Sequence, residues 1–259
     1  MSNELFQAIV LGFVQGLTEF LPVSSTAHLI LFPWLFGWKG DVNTLTFDVA
    51  LHGGTLLALL ICFYRDWIDM LLRDRKMLVT ILVAIVPAGV AGIAFHDIVE
   101  HTLRSPLVIA GSLVFFGWLM IIAERSGKRA KRKVSFMDAM IIGCAQAVAL
   151  IPGTSRSGIT ITAGLFSNIK RETAARFSFL LSTPVIGGAT LLECRKLLKT
   201  PGDYQIDLFV AGFIASFISG LIAIKFLLWY LKRHPLNSFA YYRFALAAGI
   251  LVLYFQRGL

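Results

Sequence analysis

Apolar residues run along this chain in long, nearly unbroken stretches, not in the alternation of a half-buried strand or the stripe of a surface helix. Six stretches, at roughly 45–64, 77–95, 106–123, 173–192, 207–228 and 239–256, are each near the ~20 residues that a helix needs to cross a bilayer. Two further regions are apolar but broken: roughly 5–36, at Pro22-Val-Ser-Ser-Thr, and roughly 136–166, at Pro152-Gly-Thr-Ser-Arg-Ser-Gly. Proline lacks a backbone donor and clashes with the preceding turn, so a helix stops before each break. The pieces on either side are too short to span but long enough to enter and turn back. The pattern predicts an all-α polytopic membrane protein with six transmembrane helices and two re-entrant helical hairpins.

Composition agrees: 57% of the 259 residues are hydrophobic and 15% charged, far from the balance of a soluble domain. No series of alternating strands suggests a barrel. No linker or low-complexity tract divides residues 1–259, which read as a single integral domain. The opening Met-Ser-Asn-Glu lacks the basic start of a secretory signal, so an uncleaved N-terminus is expected. Cys62, Cys144 and Cys194 are far apart and read as small hydrophobes.

The net charge of +9 could suggest nucleic acid, but the cations sit in short loops between apolar spans. Arg65, Arg73, Arg75 and Lys76 follow the first span, and Arg125 with the run Lys128 to Lys133 follows the third. Residues 96–105 between them carry only Arg104. The basic loops are therefore expected on the cytoplasmic side, with Lys170, Arg171, Lys232 and Arg233, and both termini outside. Arg195, Lys196 and Lys199 would fall outside and oppose this assignment. No nucleic-acid partner is expected, and the Lys128–Lys133 run reads as an anchor to anionic lipid heads.

The two broken regions resemble each other. Gly12 and Gln15 match Gly143 and Gln146; after a one-residue gap, Pro22 matches Pro152, Ser25 matches Ser155 and Phe47 matches Phe177. Each copy is a broken hairpin followed by three crossings. Three is odd, so the second copy is inverted. This predicts an inverted-topology repeat, with repeat 1 over about 1–124, a basic cytoplasmic linker at 125–134 and repeat 2 over about 135–259. Such repeats place binding sites at mid-membrane, where broken helix ends meet.

Polar chemistry concentrates at the breaks. Gln15 and Glu19, four apart, share a helix face, and a carboxylate in the membrane marks a functional site. Their oxygens suit a hard cation. Ser24, Ser25 and Thr26 follow the first break, where one at least should cap the next helix, and a helix N-terminus also attracts anions. His28 lies one turn beyond Ser25, which makes the two candidates for nucleophile, base or acid. At the second break, Ser155, Arg156, Ser157 and Thr160 supply donors, and the Arg156 fork matches phosphate oxygens. A mid-membrane Arg needs a partner, either Glu19 or an anionic ligand. Asp48 and His52, four apart in the first span, are candidates to support the site from behind. Glu193, His96, Asp97, Glu100 and His101 sit at span ends or in a short loop and read as solvated. Together these residues describe a site for a phosphate or pyrophosphate carried on a lipid, with a divalent cation.

"QGLTE", "FLPVSSTAH" and "PGTSRSGIT" resemble the motifs of the undecaprenyl-diphosphate phosphatase family, the bacitracin-resistance proteins, and the likeness extends to "FDVALHGGTLLAL" and "RFSFLLSTP". The resemblance implies a bacterial inner-membrane hydrolase. It would convert undecaprenyl diphosphate to undecaprenyl phosphate and inorganic phosphate, recycle the carrier for peptidoglycan, and confer bacitracin resistance. It further implies Mg²⁺ or Ca²⁺, catalytic roles for Glu19, Ser25, His28 and Arg156, and substrate contacts from Ser155, Ser157 and Thr160, to which Ser24 and Thr26 are added by their place at the first helix start. Gln15 stands within the family's acidic motif but is neutral, so Glu19 would hold the metal with Gln15 as an uncharged oxygen ligand. The nucleophile stays open between Ser25, His28 and water. The active site is expected to face the periplasm, the partners are the polyprenyl diphosphate and membrane lipids, and a homodimer is left open. The inverted repeat also fits a transporter or flippase of a phosphorylated lipid, and a third alternative is a scaffold whose polar residues serve helix packing alone.

Overall fold

The computed structural model describes residues 3–95, 103, 105–126, 130–199 and 205–256. The described residues form eleven α-helices and no strand. Two form the first hairpin, α1 (Asn3–Phe20) and α2 (Ser25–Phe36). The crossings follow as α3 (Leu45–Leu72), the pair α4 (Arg75–Ala84) and α5 (Val86–Ala94), and α6 (Pro106–Ser126). The second hairpin is α7 (Phe136–Val148) and α8 (Arg156–Phe166). Then come α9 (Arg171–Lys199), α10 (Ile206–Leu231) and α11 (Asn237–Gln256). Six segments are long and apolar enough to cross a membrane, with α4 and α5 counting as one. These coincide with the six spans predicted from sequence, and the protein is a multi-pass membrane protein.

Both breaks fall where proline demands, and both use the same backbone device. Ser24 adopts φ 75° and Ser155 adopts φ 70°, each in the left-handed region that L-residues avoid. Each then caps the following helix: the Ser24 Oγ accepts from the Ala27 N–H, and the Ser155 Oγ from the Gly158 N–H. This corrects the expected register. Ser24, not Ser25, is the counterpart of Ser155, so the offset set by Gln15 and Gln146 continues through the turn without a gap, and Ser25 stands opposite Arg156.

Each hairpin leans on the other half of the chain. Along α1, Gly12 and Gly16 let the backbone settle against Gly212, Ser216 and Gly220 of α10; a Cβ at either glycine would collide with an α10 carbonyl. Small residues at such a seam allow the close approach that drives helix packing in lipid. In the same way Gly143 of α7 rests on the Ala84 carbonyl at the end of α4. This cross-packing is compatible with the expected inverted repeat. A buried aromatic group of Phe20, Phe63 and Phe179 joins α1, α3 and α9, with edge-to-face centroids 5.4 Å and 6.0 Å apart.

Charge is sorted between the two ends. At one, the Gln205 side chain donates to Glu4 and its backbone N–H to Asp41. At the other, Arg171 grips Glu124 with two donors, Lys131 pairs with Asp138, Arg176 with Asp66, and Lys232 with Glu172. Glu124 also accepts the Leu236 N–H, tying α6 to the starts of α9 and α11. His96, Asp97, Glu100, His101, Arg104, Lys128 and Arg129 lie outside the described residues, as do the side chains of Glu193, Lys196 and Lys199.

Candidate active site

Glu19 ends α1 one turn before the first break, and Arg156 begins α8 just after the second. They are 137 positions apart in the chain, yet the Arg156 Nη2 donates to the Glu19 Oε1. Both side chains are largely buried, at 5% and 16% exposure. A bare charge in this setting would be costly, and each ion satisfies the other. The second carboxylate oxygen of Glu19 accepts from the Ser25 Oγ at 2.7 Å and from the Gln15 Nε2 at 2.9 Å. The His52 Nε2 stands 3.6 Å from that oxygen, with its Nδ1 donating to the Asp48 carbonyl. Carboxylate, hydroxyl, imidazole and guanidinium thus meet at one point, drawn from α1, α2, α3 and α8.

A cavity of about 240 Å³ opens beside them, lined by Glu19, Ser24, Ser25, Thr26, His52, Ser155 and Arg156, with Thr190 and the apolar Val49, Ala149, Ile151, Val185, Ile186 and Ala189. The N-termini of α2 and α8 both reach it. The first N–H groups of a helix have no intrahelical acceptor, and together with the helix dipole they favour a bound anion. The site therefore holds one negative group, one permanent cation and two helix starts within a largely apolar wall.

The family model described as "Bacitracin resistance protein BacA" matches residues 8–249. The chain belongs to the BacA family. Among its relatives, a protein of Thermodesulfovibrio yellowstonii named undecaprenyl-diphosphatase is 56% identical, the match covering 98% of this chain and 99% of that one. Undecaprenyl-diphosphatase of Desulforudis audaxviator is 46% identical over 98% of this chain and 99% of its own. Undecaprenyl-diphosphatase 2 of Stutzerimonas stutzeri is 45% identical over 97% and 98%.

Not every residue that resembled a BacA motif position reaches the cavity. His28 turns away from it: its Nδ1 lies 2.7 Å from the Ser24 carbonyl and its Nε2 2.8 Å from the Tyr242 hydroxyl, the two rings stacked. A carbonyl can only accept, so Nδ1 carries the proton and the Nε2 lone pair is taken by the Tyr242 O–H. In this arrangement His28 bridges α2 and α11 and is not on the cavity wall. Ser157 donates to the Leu21 carbonyl across the two breaks, and Thr160 bonds the Arg156 carbonyl and the Ser178 hydroxyl. Both brace the turn and are absent from the cavity wall. Ser24 and Ser155 line the cavity while capping their helices, and Thr26 is exposed there.

Of the two residues expected to hold a metal, Glu19 lines the cavity and Gln15 does not. Gln15 turns its amide N–H toward Glu19, and its Oε1 is buried without a partner, so the two residues do not converge their oxygens on one point. No group of three or more His, Cys, Asp or Glu suited to a metal ion occurs among the described residues. Two residues escaped the sequence reading. Thr190 lines the wall, its hydroxyl buried and without a partner among the described residues. Arg243, in an unremarked part of the last span, is fully buried and bonded only to backbone carbonyls. A cation inside an apolar span was the available signal for it.

Proposed function

We propose that this protein is an undecaprenyl-diphosphate phosphatase whose catalytic cavity lies between the two helix breaks. The observation that carries the reading is the meeting of Ser25, Glu19 and Arg156 at the starts of two helices. A terminal phosphate placed there would face Arg156 and the two helix starts, with the Ser25 Oγ in reach of phosphorus. Ser25 is the nucleophile. Its Oγ–P bond forms as the bond from phosphorus to the bridging oxygen breaks, and the lipid monophosphate leaves with that oxygen. Glu19 takes the Ser25 proton along the existing hydrogen bond. Water then attacks the phosphoserine, its oxygen leaves on inorganic phosphate, and Glu19 returns the proton to Ser25. Arg156 and the helix N-termini stabilise charge on the equatorial oxygens throughout. His52, beside Glu19 at the mouth, is placed to exchange protons with the leaving group or the entering water.

Mg²⁺ or Ca²⁺ belongs to the same proposal, held differently from the sequence expectation. Among the described residues Glu19 is the one carboxylate on the cavity wall, so a cation would take most of its shell from diphosphate oxygens and water. When bound it would neutralise charge on the diphosphate.

The cavity wall uses the start of α3 (Val49, His52) and the later half of α9 (Val185 to Thr190). Loop charge assigns these ends to the outer side, so we place the site at the periplasmic face of the bacterial inner membrane. The product then stays in the bilayer as a recycled carrier for wall polymers. Sealed vesicles of known orientation test both claims. A membrane-impermeant polyprenyl diphosphate analogue should release inorganic phosphate in the presence of Mg²⁺ or Ca²⁺ only when the predicted face is outward. Lipid transfer across the membrane with no phosphate released would instead identify a flippase.

A further inference from the structure

A broken helix exposes two kinds of orphan group. The first piece ends in carbonyls without donors, and the second begins with N–H groups without acceptors. At both breaks the N–H side faces the anion cavity. Within the breaks Ser157 donates to the Leu21 carbonyl, and the carbonyls of Pro22, Gly153 and Thr154 need donors from elsewhere. Arg243 supplies them. Its guanidinium is fully buried and has no carboxylate partner among the described residues. The Nη1 donates to the Thr154 carbonyl at 2.9 Å and, at 3.4 Å, to that of Pro22; the Nη2 donates to the Gly153 carbonyl at 2.8 Å. The Nε and Nη2 also reach the Leu113 and Ser112 carbonyls of α6, at 3.2 Å and 3.4 Å. One planar fork thus ties together turn carbonyls of both breaks and the neighbouring span.

We infer that Arg243 is a positioning residue for phosphoryl transfer, holding the two breaks in the one arrangement that brings Ser25, Glu19 and Arg156 together. Thr154 immediately precedes Ser155, and Pro22 lies two before Ser24, the residues held at φ 70° and 75°. Such backbone persists only where its surroundings over-determine it. The Pro22, Gly153 and Thr154 carbonyls lie in the turns themselves, past the ends of α1 at Phe20 and α7 at Val148, so Arg243 fixes the turns that aim the starts of α2 and α8 at the cavity. Lysine cannot replace it fully, because an ammonium lacks the flat fork that spans carbonyls from both turns.

The inference rests on the phosphatase reading, and one experiment separates their failures. Wild type, Arg243→Lys and Arg243→Met are purified in detergent, checked for a monodisperse folded peak and a melting transition, and assayed for kcat and KM on a polyprenyl diphosphate. Wild type that releases no phosphate overturns the phosphatase reading. If wild type is active, folded Arg243→Met should lose about 100-fold in kcat, the scale of a misplacement near 1 Å. Arg243→Lys should recover part of it, with a loss of about tenfold, while KM moves less than about threefold in both. Folded Arg243→Lys with wild-type kcat overturns the inference. So does a loss that only tracks its folded fraction, or failure of Arg243→Lys to fold, since each assigns the residue to assembly alone. If Arg243→Met does not fold, Arg243→Lys decides.

Discussion

The two breaks share a backbone and differ in chemistry. Both stop a helix at a proline-containing turn, hold a serine in left-handed conformation, and restart with that serine as cap. At matched positions, however, Glu19 stands against Leu150, Ser25 against Arg156, and His28 against Ile159. The common geometry gives two helix starts pointed at one place, which suffices to attract an anion. Cleaving it takes groups of opposite character, and each break supplies only one kind. The first holds the hydroxyl and the carboxylate, the second the cation. Neither break is a site alone.

This asymmetry can be attacked residue by residue. The largest loss is expected for Ser25→Ala, on the order of 10⁴-fold in kcat, the scale at which a missing nucleophile leaves binding and electrostatics alone. Acid-quenched enzyme should carry phosphate on Ser25 in wild type and none in the variant. Arg156→Ala removes the cation of the second break and strands Glu19; a fall in kcat/KM on the order of 10³-fold is expected in phosphate-release assays. His52→Gln, at the cavity mouth, should cost about 100-fold in kcat. His28→Gln sharpens the comparison from the other side. Its ring bridges Ser24 and Tyr242 outside the cavity, so a stability loss of about 1 kcal/mol in thermal melts is expected, with kcat within about threefold. A His28→Gln enzyme as impaired as Ser25→Ala would return the histidine to the chemistry.

Much of this was legible in the sequence because the bilayer makes polar residues costly. Six uninterrupted runs became six spans, and Pro22 and Pro152 marked the breaks. An isolated Arg156 called for a partner, and Glu19 is that partner. What the structure adds depends on a rotation or an offset that composition does not encode. Ser25 and His28 are three apart, a spacing that suggests one face, yet the turn of α2 aims Ser25 at Glu19 and His28 at α11. The repeat register slipped by one because the prolines were aligned, whereas the backbone aligns the left-handed serines. Arg243 went unread because its partners are main-chain carbonyls, which have no sequence signature. Gln15 offers an oxygen by composition, and here its N–H is the group turned toward Glu19.

The central claim is that residues from two breaks form one catalytic unit, and a double-mutant cycle on the Glu19–Arg156 pair tests it most directly. Phosphate release from a polyprenyl diphosphate would be measured for Glu19→Gln, Arg156→Ala and the double variant, each checked for folding. Groups acting as a unit are strongly non-additive, so the double variant should be no slower than the worse single variant within about threefold. Losses that multiply would show two independent sites and contradict the account.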